Sequence, residues 1–188
     1  MDDLFSILES VGEALEAVRV PYALTGSIAS SYYGRPRGSI DADLAVQMTA
    51  TQADALSARL AGRFYVSVEG LREACLTCGM ANLIHMASGL KIDLSVLKPT
   101  EYYRQVMARM RQVTLPGGGR PVWMVSAEDV VLMKLEWRKD TRSARQMEDV
   151  LGVIQTCRGT LDWDYLTRWA DPLGVRDDLE QARQSGDG

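Results

Sequence analysis

The chain has 188 residues, of which 46% are apolar and 24% are charged, and its formal net charge is −4. This composition is ordinary for a globular protein long enough to bury a core, and it excludes a disordered chain and a chain-wide basic surface for nucleic acid. The longest apolar runs, such as 130–133, fall far short of the roughly 20 residues of a membrane-spanning helix.

The Met-Asp-Asp start lacks the basic and apolar regions of a signal peptide, and three cysteines do not suit a disulfide framework. We therefore expect a cytoplasmic protein with no membrane partner.

The periodicity of the first part predicts alternating helices and strands. Helices are expected over 3–18, 52–61 and 69–78, with Thr51 as the cap of the second, and the small residues of 28–33 suit a further helix. Strands are expected over 22–24, 40–46 and 64–68, and a hairpin over 82–87 and 90–97 turns at Ser88-Gly89.

The later part changes character. A helix over 100–111 precedes a second predicted hairpin, formed by 112–115 and 121–125 around Gly117–Gly119. From Ser126, which can cap a helix together with Asp129, only helices are expected, including 143–157, 162–170 and 175–184. The sequence thus predicts an α+β fold: an α/β core over 1–125 with a mixed sheet flanked by helices, followed by a C-terminal helical bundle over 126–188 packed on that core.

Three carboxylates fall on predicted strands. Residues two apart in a strand point to the same face, so Asp41 and Asp43 project together, whereas the alternate residues Ile40, Ala42, Leu44 and Val46 face a core. On a later strand Asp93 points away from the apolar face, with Lys91 and Ser95. If the two strands are neighbours, three carboxylates converge on one patch.

Converging carboxylates repel one another, and a hard divalent cation such as Mg²⁺ relieves that repulsion. The alternative is that Asp41 and Asp43 merely line the solvated face of an edge strand. The preceding Gly26-Ser27 pair favours the cation site, because glycine permits a sharp turn and a serine at a helix start presents a hydroxyl and N–H groups to a phosphate. Thirteen residues separate Ser27 from Asp41.

Together these residues resemble the nucleotidyltransferase superfamily, which has the fold of DNA polymerase β. Its pattern is Gly-Gly or Gly-Ser, a short gap, Asp-x-Asp or Asp-x-Glu, and a third acidic residue on a later strand. Within it, the chain looks like the minimal bacterial AbiEii-like toxins, on the runs Gly26–Ser31, Gly34–Arg37, Ser126–Leu135 and Arg145–Val150.

The resemblance implies that Asp41, Asp43 and Asp93 are catalytic and hold two Mg²⁺ ions, with Mn²⁺ as a possible substitute. It also implies that Gly26 and Ser27 bind the phosphates of an NTP. Lys134 and Arg37 are further candidates for nucleotide contacts; for Lys134 the alternative is a solvated helix face. Arg145 and Asp149, four residues apart, suit a simple helix pair.

The activity so implied is transfer of an NMP from an NTP to a hydroxyl of an acceptor. The acceptor would be an RNA such as the 3′ end of a tRNA, a protein or a small molecule. A toxin of this type would have a cognate antitoxin as partner, and a patch of basic residues (Arg35, Arg37, Lys134, Arg138, Lys139, Arg142 and Arg145) would serve an RNA. The alternative is a catalytically idle protein of the same fold that binds a nucleotide or a partner.

Overall fold

The computed structural model describes residues 4–115 and 119–186, which divide into two compact units. The first unit runs to Thr25 and resumes from Ser39 to Met124; the second comprises Gly26–Gly38 and the described residues from Val125 onward. Residues 26–38 thus group with the C-terminal helices, whereas the sequence analysis assigned them to the α/β core. Among the helices that the structure describes, none has the length and apolar character required to span a membrane.

The described elements are seven strands and nine helices. The strands are β1 Tyr22–Thr25, β2 Ala42–Val46, β3 Phe64–Val66, β4 Met80–His85, β5 Lys91–Val96, β6 Arg111–Val113 and β7 Val122–Met124. The helices are α1 Leu4–Ala17, α2 Gly26–Tyr33, α3 Ala50–Leu60, α4 Val68–Thr77, α5 Glu101–Arg109, α6 Ala127–Thr141, α7 Ala144–Thr156, α8 Trp163–Leu173 and α9 Arg176–Gly186.

All seven strands form one mixed sheet in the order β3-β4-β5-β2-β1-β7-β6. The β2–β5 and β1–β7 pairs are parallel, and the other neighbours are antiparallel. The hairpins β4–β5 and β6–β7 confirm the two predicted ones; Gly117 and Gly118 of the second predicted turn lie outside the described residues. The α+β prediction is confirmed.

Strand alternation sets the two faces of β2 and β5. Ala42 and Leu44 of β2, and Ile92 and Leu94 of β5, are buried in the core of the first unit, as predicted. The prediction is wrong for Ile40, which is 79% exposed. The ladder begins only at Ala42, so the residues before it are not held in the alternation of the strand.

Helix α3 corrects a predicted cap. Its N-cap is Thr49, not Thr51: the Thr49 hydroxyl accepts from the Gln52 backbone N–H, and the Gln52 side chain accepts from the Thr49 backbone N–H. This reciprocal pair is a capping box, which satisfies two backbone donors at the helix start. The helix therefore begins two residues earlier than predicted.

We expect Thr49→Ala to lower the free energy of unfolding by about 1 kcal/mol, because it leaves a helix-start donor unsatisfied. Thr51→Ala, in the exposed first turn of the same helix, is the matched control and should change stability by less than about 0.5 kcal/mol. Chemical denaturation of the two variants measures the difference, and equal effects would contradict the assignment of Thr49 as the cap.

The second unit is helical. Its α6 begins at the predicted cap, since the Ser126 hydroxyl accepts from the Asp129 backbone N–H. Helix α2 packs against α6 and α7, and α7 packs against α9. These contacts explain why residues 26–38 group with the C-terminal helices, even though they follow β1 directly in the chain.

Candidate functional site

The parallel pairing of β2 with β5 brings two of the predicted carboxylates side by side. Asp43 and Asp93 are direct register partners, so they project from the same face of the sheet. Asp41 lies two residues before Asp43, just outside β2, and its side chain is 48% exposed. Asp93 is the most buried of the three, with a side chain 11% exposed. The structure thus places Asp43 and Asp93 side by side in the first unit, with Asp41 two residues from Asp43.

A lysine joins this cluster. Lys91 Nζ donates to Asp93 Oδ2 at 2.9 Å and lies 3.7 Å from Asp41 Oδ2. The hydrogen bond to Asp93 is the main cause that raises the pKa of Lys91, and the charges of all three carboxylates act in the same direction. On the other side, the Asn82 amide of β4 donates to Asp93 Oδ1. Each of the two carboxylate oxygens of Asp93 thus accepts a hydrogen bond.

The carboxylate cluster has the donor chemistry of a magnesium site. Mg²⁺ prefers oxygen ligands and is usually held by one or two protein carboxylates together with substrate phosphates, and Asp43 and Asp93 supply such a pair. The geometry is not that of a complete protein site, however. Over the described ranges, no group of three or more histidine, cysteine or carboxylate side chains is arranged to hold a metal ion.

Gly26 and Ser27, the predicted phosphate-binding pair, form the start of α2. Gly26 has φ of +61°, a left-handed conformation that glycine adopts without strain, so the abrupt change from strand to helix depends on it. The Ser27 carbonyl accepts from the Ser30 hydroxyl within the helix. Both residues belong to the second unit, together with the other two predicted nucleotide contacts.

Those two contacts, Arg37 and Lys134, meet at one carboxylate in the second unit. The Arg37 guanidinium donates through Nε and Nη2 to the two oxygens of Asp149, both at 2.9 Å. Lys134 Nζ lies 2.8 Å from Asp149 Oδ2 and donates to Gln146 Oε1 at 3.0 Å. The Lys134 side chain is 3% exposed, so the solvated-face alternative is wrong.

Asp149 keeps its charge despite its burial. Its side chain is 9% exposed, and this loss of water by itself would raise its pKa. The hydrogen bonds from Arg37 and Lys134, and the charges of these two residues, outweigh burial and hold the pKa below its ordinary value of 3.8. The predicted use of Asp149 as a helix partner of Arg145 is replaced by this pair of cations.

Three residues hold the predicted ones in place without having been predicted to do so: Lys91, Asn82 and Asp149, the last of which was expected only to pair with Arg145. The signal for Lys91 was available, because it lies two residues before Asp93 on the same strand. Asn82 and Asp149 gave no such signal, since their contacts depend on the pairing of β4 with β5 and on the packing of α6 with α7.

The predicted basic patch is partly paired within the second unit. Besides Arg37 and Lys134, Arg138 pairs with Asp178, and Lys139 donates to the Leu173 carbonyl. Arg35 donates to Gln155. The carboxylates of Asp149 and Asp178 offset part of the positive charge, whereas the neutral acceptors leave the charges of Lys139 and Arg35 in place.

Apolar side chains adjoin the carboxylates on the same sheet face. The exposed residues of β4 alternate as Met80, Asn82 and Ile84, and Tyr65 of β3 is the register partner of Ile84. Met80, Ile84 and Tyr65 are all exposed, which is unusual for large apolar side chains on adjacent strands. Tyr65 and Ile84 are neighbours, whereas Asn82 separates Ile84 from Met80; exposed apolar surface can mark a binding site.

Comparison with known proteins places the fold. No family model matches the chain, and no curated protein is similar to it. A nucleotidyltransferase-like antigenic protein from Paracoccidioides brasiliensis has a TM-score of 0.54 at 16% identity, over 95% of this chain and 91% of that chain. The solution structure of the antibiotic-resistance factor ANT(2'')-Ia gives 0.54 at 14% identity, over 96% and 92% of the two chains.

A crystal structure of ANT(2'')-Ia in complex with adenylyl-2''-tobramycin gives a TM-score of 0.52 at 14% identity, over 91% of this chain and 97% of that chain. At identities this low the likeness concerns the fold alone, and it extends over nearly the whole of both chains. The chain therefore has the nucleotidyltransferase fold.

Proposed function

We propose that the chain is a Mg²⁺-dependent nucleotidyltransferase that moves an NMP from an NTP to an acceptor hydroxyl. The observation that carries the proposal is the register pairing of Asp43 with Asp93, with Asp41 two residues away, on the sheet of a nucleotidyltransferase fold. A solvated edge strand would give no reason for Asp93, largely buried on a central strand, to sit beside a second carboxylate.

Asp41, Asp43 and Asp93 would hold two Mg²⁺ ions, or Mn²⁺, which when bound supply charge stabilisation to the attacking and leaving oxygens of an in-line displacement. Asp93 would accept the proton of the attacking hydroxyl, and Asn82 would keep its carboxylate oriented. Most of the catalysis would then come from positioning and charge neutralisation.

The nucleotide would be bound through its phosphates by the residues predicted for that role. The N-terminal turn of α2, with Gly26 and Ser27, offers backbone N–H groups and the positive end of a helix dipole. Arg37 and Lys134 would be the cationic side chains; Asp149 already holds both in fixed orientations, so a phosphate would have to compete with its carboxylate. Fixed cations lose little conformational entropy on binding a phosphate.

The acceptor would lie beside the carboxylates on the exposed apolar residues Met80, Ile84 and Tyr65. ANT(2'')-Ia, solved with an adenylylated antibiotic, supports a small-molecule acceptor by analogy of fold. An RNA 3′ end or a protein side chain is the acceptor that the toxin resemblance implies, together with a cognate antitoxin.

One observation supports the alternative of a catalytically idle binding module. Lys91 compensates two of the three carboxylates without a metal, so repulsion alone does not require a cation in the cluster. In that case the fold would bind a nucleotide or partner without transfer.

We expect the purified chain, incubated with Mg²⁺ and each α-³²P-labelled NTP in turn, to label one acceptor class. The acceptors are offered separately as total RNA, a protein extract and a panel of hydroxyl-bearing small molecules including aminoglycosides. Label in one fraction identifies the base and the acceptor class. Nucleotide binding by calorimetry with no label in any fraction would favour the binding module.

A further inference from the structure

Lys91 is placed among the carboxylates by the register of the sheet. The β2–β5 register begins at Ala42 and Ile92, so Lys91 lies one residue beyond it, and its Nζ is 3.7 Å from Asp41 Oδ2. Its partner on the other side is Ile84 of β4, which carries no charge. The charged groups around the Lys91 ammonium are Asp93 on its own strand, Asp43 on β2 and Asp41 just before β2.

An ammonium group and a divalent cation compete for the same oxygens. Lys91 Nζ lies 2.9 Å from Asp93 Oδ2, within hydrogen-bond range, and 3.7 Å from Asp41 Oδ2. A Mg²⁺ ion bound to these oxygens would approach to about 2.1 Å and would strongly repel an ammonium group left in its present place. Lys91 in its present place therefore opposes the binding of a divalent cation at these oxygens.

Building on the metal site of the proposed function, we infer that Lys91 is an internal counter-ion that a divalent cation must displace from Asp93 and Asp41. Lys91 thereby lowers the affinity of the cluster for free cations. The cation then binds well only when nucleotide phosphates supply further oxygen ligands, so metal loading is coupled to substrate binding. Lys91 would not touch the nucleotide or the acceptor; it would affect metal binding through its contacts with the carboxylates.

The test is Mn²⁺ binding to the full chain without nucleotide, measured by electron paramagnetic resonance of the unbound ion. We expect Lys91→Met to bind Mn²⁺ at least roughly tenfold more tightly than the unchanged chain, because one positive charge leaves the cluster. Lys91→Arg, which keeps the charge, should stay near the unchanged affinity. Lys98→Met removes an exposed lysine just beyond β5 and should have no effect.

A structural role for Lys91 predicts the opposite sign. If Lys91 only held Asp93 in position, its removal would weaken Mn²⁺ binding, and this result, or equal affinities, would overturn the inference. Lys91→Met/Asp93→Asn should lose the gained affinity, which assigns the gain to the cluster. If Lys91→Met fails to fold, Lys91→Gln makes the same measurement with a polar side chain.

The measurement reads no transfer activity, so its outcome is independent of the proposed reaction. Tighter Mn²⁺ binding in a protein that labels no acceptor would leave the inference standing and remove the proposed function. If the chain transferred label and Lys91→Met bound Mn²⁺ no more tightly than the unchanged chain, the proposed function would stand and the inference about Lys91 would be overturned. A chain that binds no Mn²⁺ with or without Lys91 would overturn the inference.

Discussion

Asp43→Asn should reduce nucleotidyl transfer by roughly a thousandfold, equivalent to about 4 kcal/mol of lost transition-state stabilisation. Asp43 is the central carboxylate of the proposed site, since it pairs in register with Asp93 and lies two residues from Asp41. Asparagine keeps the shape of the side chain but removes the charge. Any cation held there would lose a ligand that a neutral amide replaces poorly.

The same substitution should leave the fold intact or slightly more stable. It removes one of three neighbouring negative charges and keeps the shape of the side chain. Loss of activity without loss of stability is the signature of a residue kept for chemistry, because functional sites retain unfavourable arrangements that substitution relieves. A residue kept for structure would show both losses together.

Asp54→Asn is the matched control for this experiment. Asp54 also belongs to the first unit, but it forms an exposed ion pair with Arg72. We expect its replacement to leave transfer within about twofold and to lower stability by less than about 1 kcal/mol. Transfer rates and melting temperatures of both variants are measured side by side. If Asp43→Asn kept transfer within twofold, the carboxylate cluster would not be the reaction centre and the binding-module alternative would gain support.

Local patterns in the sequence predicted which carboxylates share the polar face because strand alternation is a short-range rule. Asp43 and Asp93 were each placed on the polar face by two-residue alternation, and only their pairing had to be assumed. The alternation failed at Ile40, where the ladder ends and the backbone is no longer held by a neighbouring strand. Thr49 was missed for a similar reason, since two threonines stood near the start of α3 and the backbone decides which one caps it.

The partners of the cationic residues were not predictable in this way. Lys134, Arg37 and Asp149 come from three separate segments, and their meeting depends on how α2, α6 and α7 pack. Helical spacing offered Arg145 as the nearest partner of Asp149, because only residues on the same helix can be paired from sequence. Long-range packing instead gave Asp149 two buried or half-buried cations. The grouping of residues 26–38 with the C-terminal helices has the same origin.

The second large effect is expected from substitution of Asp149, whose carboxylate contacts Arg37 and Lys134. Asp149→Ala should lower the free energy of unfolding by about 3–5 kcal/mol, because it leaves the Lys134 ammonium, 3% exposed, without its carboxylate partner. For a chain of this length the melting temperature should fall by roughly 6–20 °C. Glu148→Ala is the matched control: it changes the neighbouring, exposed residue of α7 and should alter stability by less than about 0.5 kcal/mol.

Acid should remove the difference in unfolding free energy between the unchanged chain and Asp149→Ala. The pKa of Asp149 in the folded chain lies below its ordinary value of 3.8, so its contribution to stability is complete above that value and is lost as the pH falls through the folded pKa. The gap in unfolding free energy between the unchanged chain and Asp149→Ala should therefore be constant from pH 7 to about 5 and narrow below about 4. Urea denaturation across this range measures the gap. A gap that stayed constant down to pH 3 would mean that Asp149 stabilises the second unit by packing, with its charge pairing contributing little.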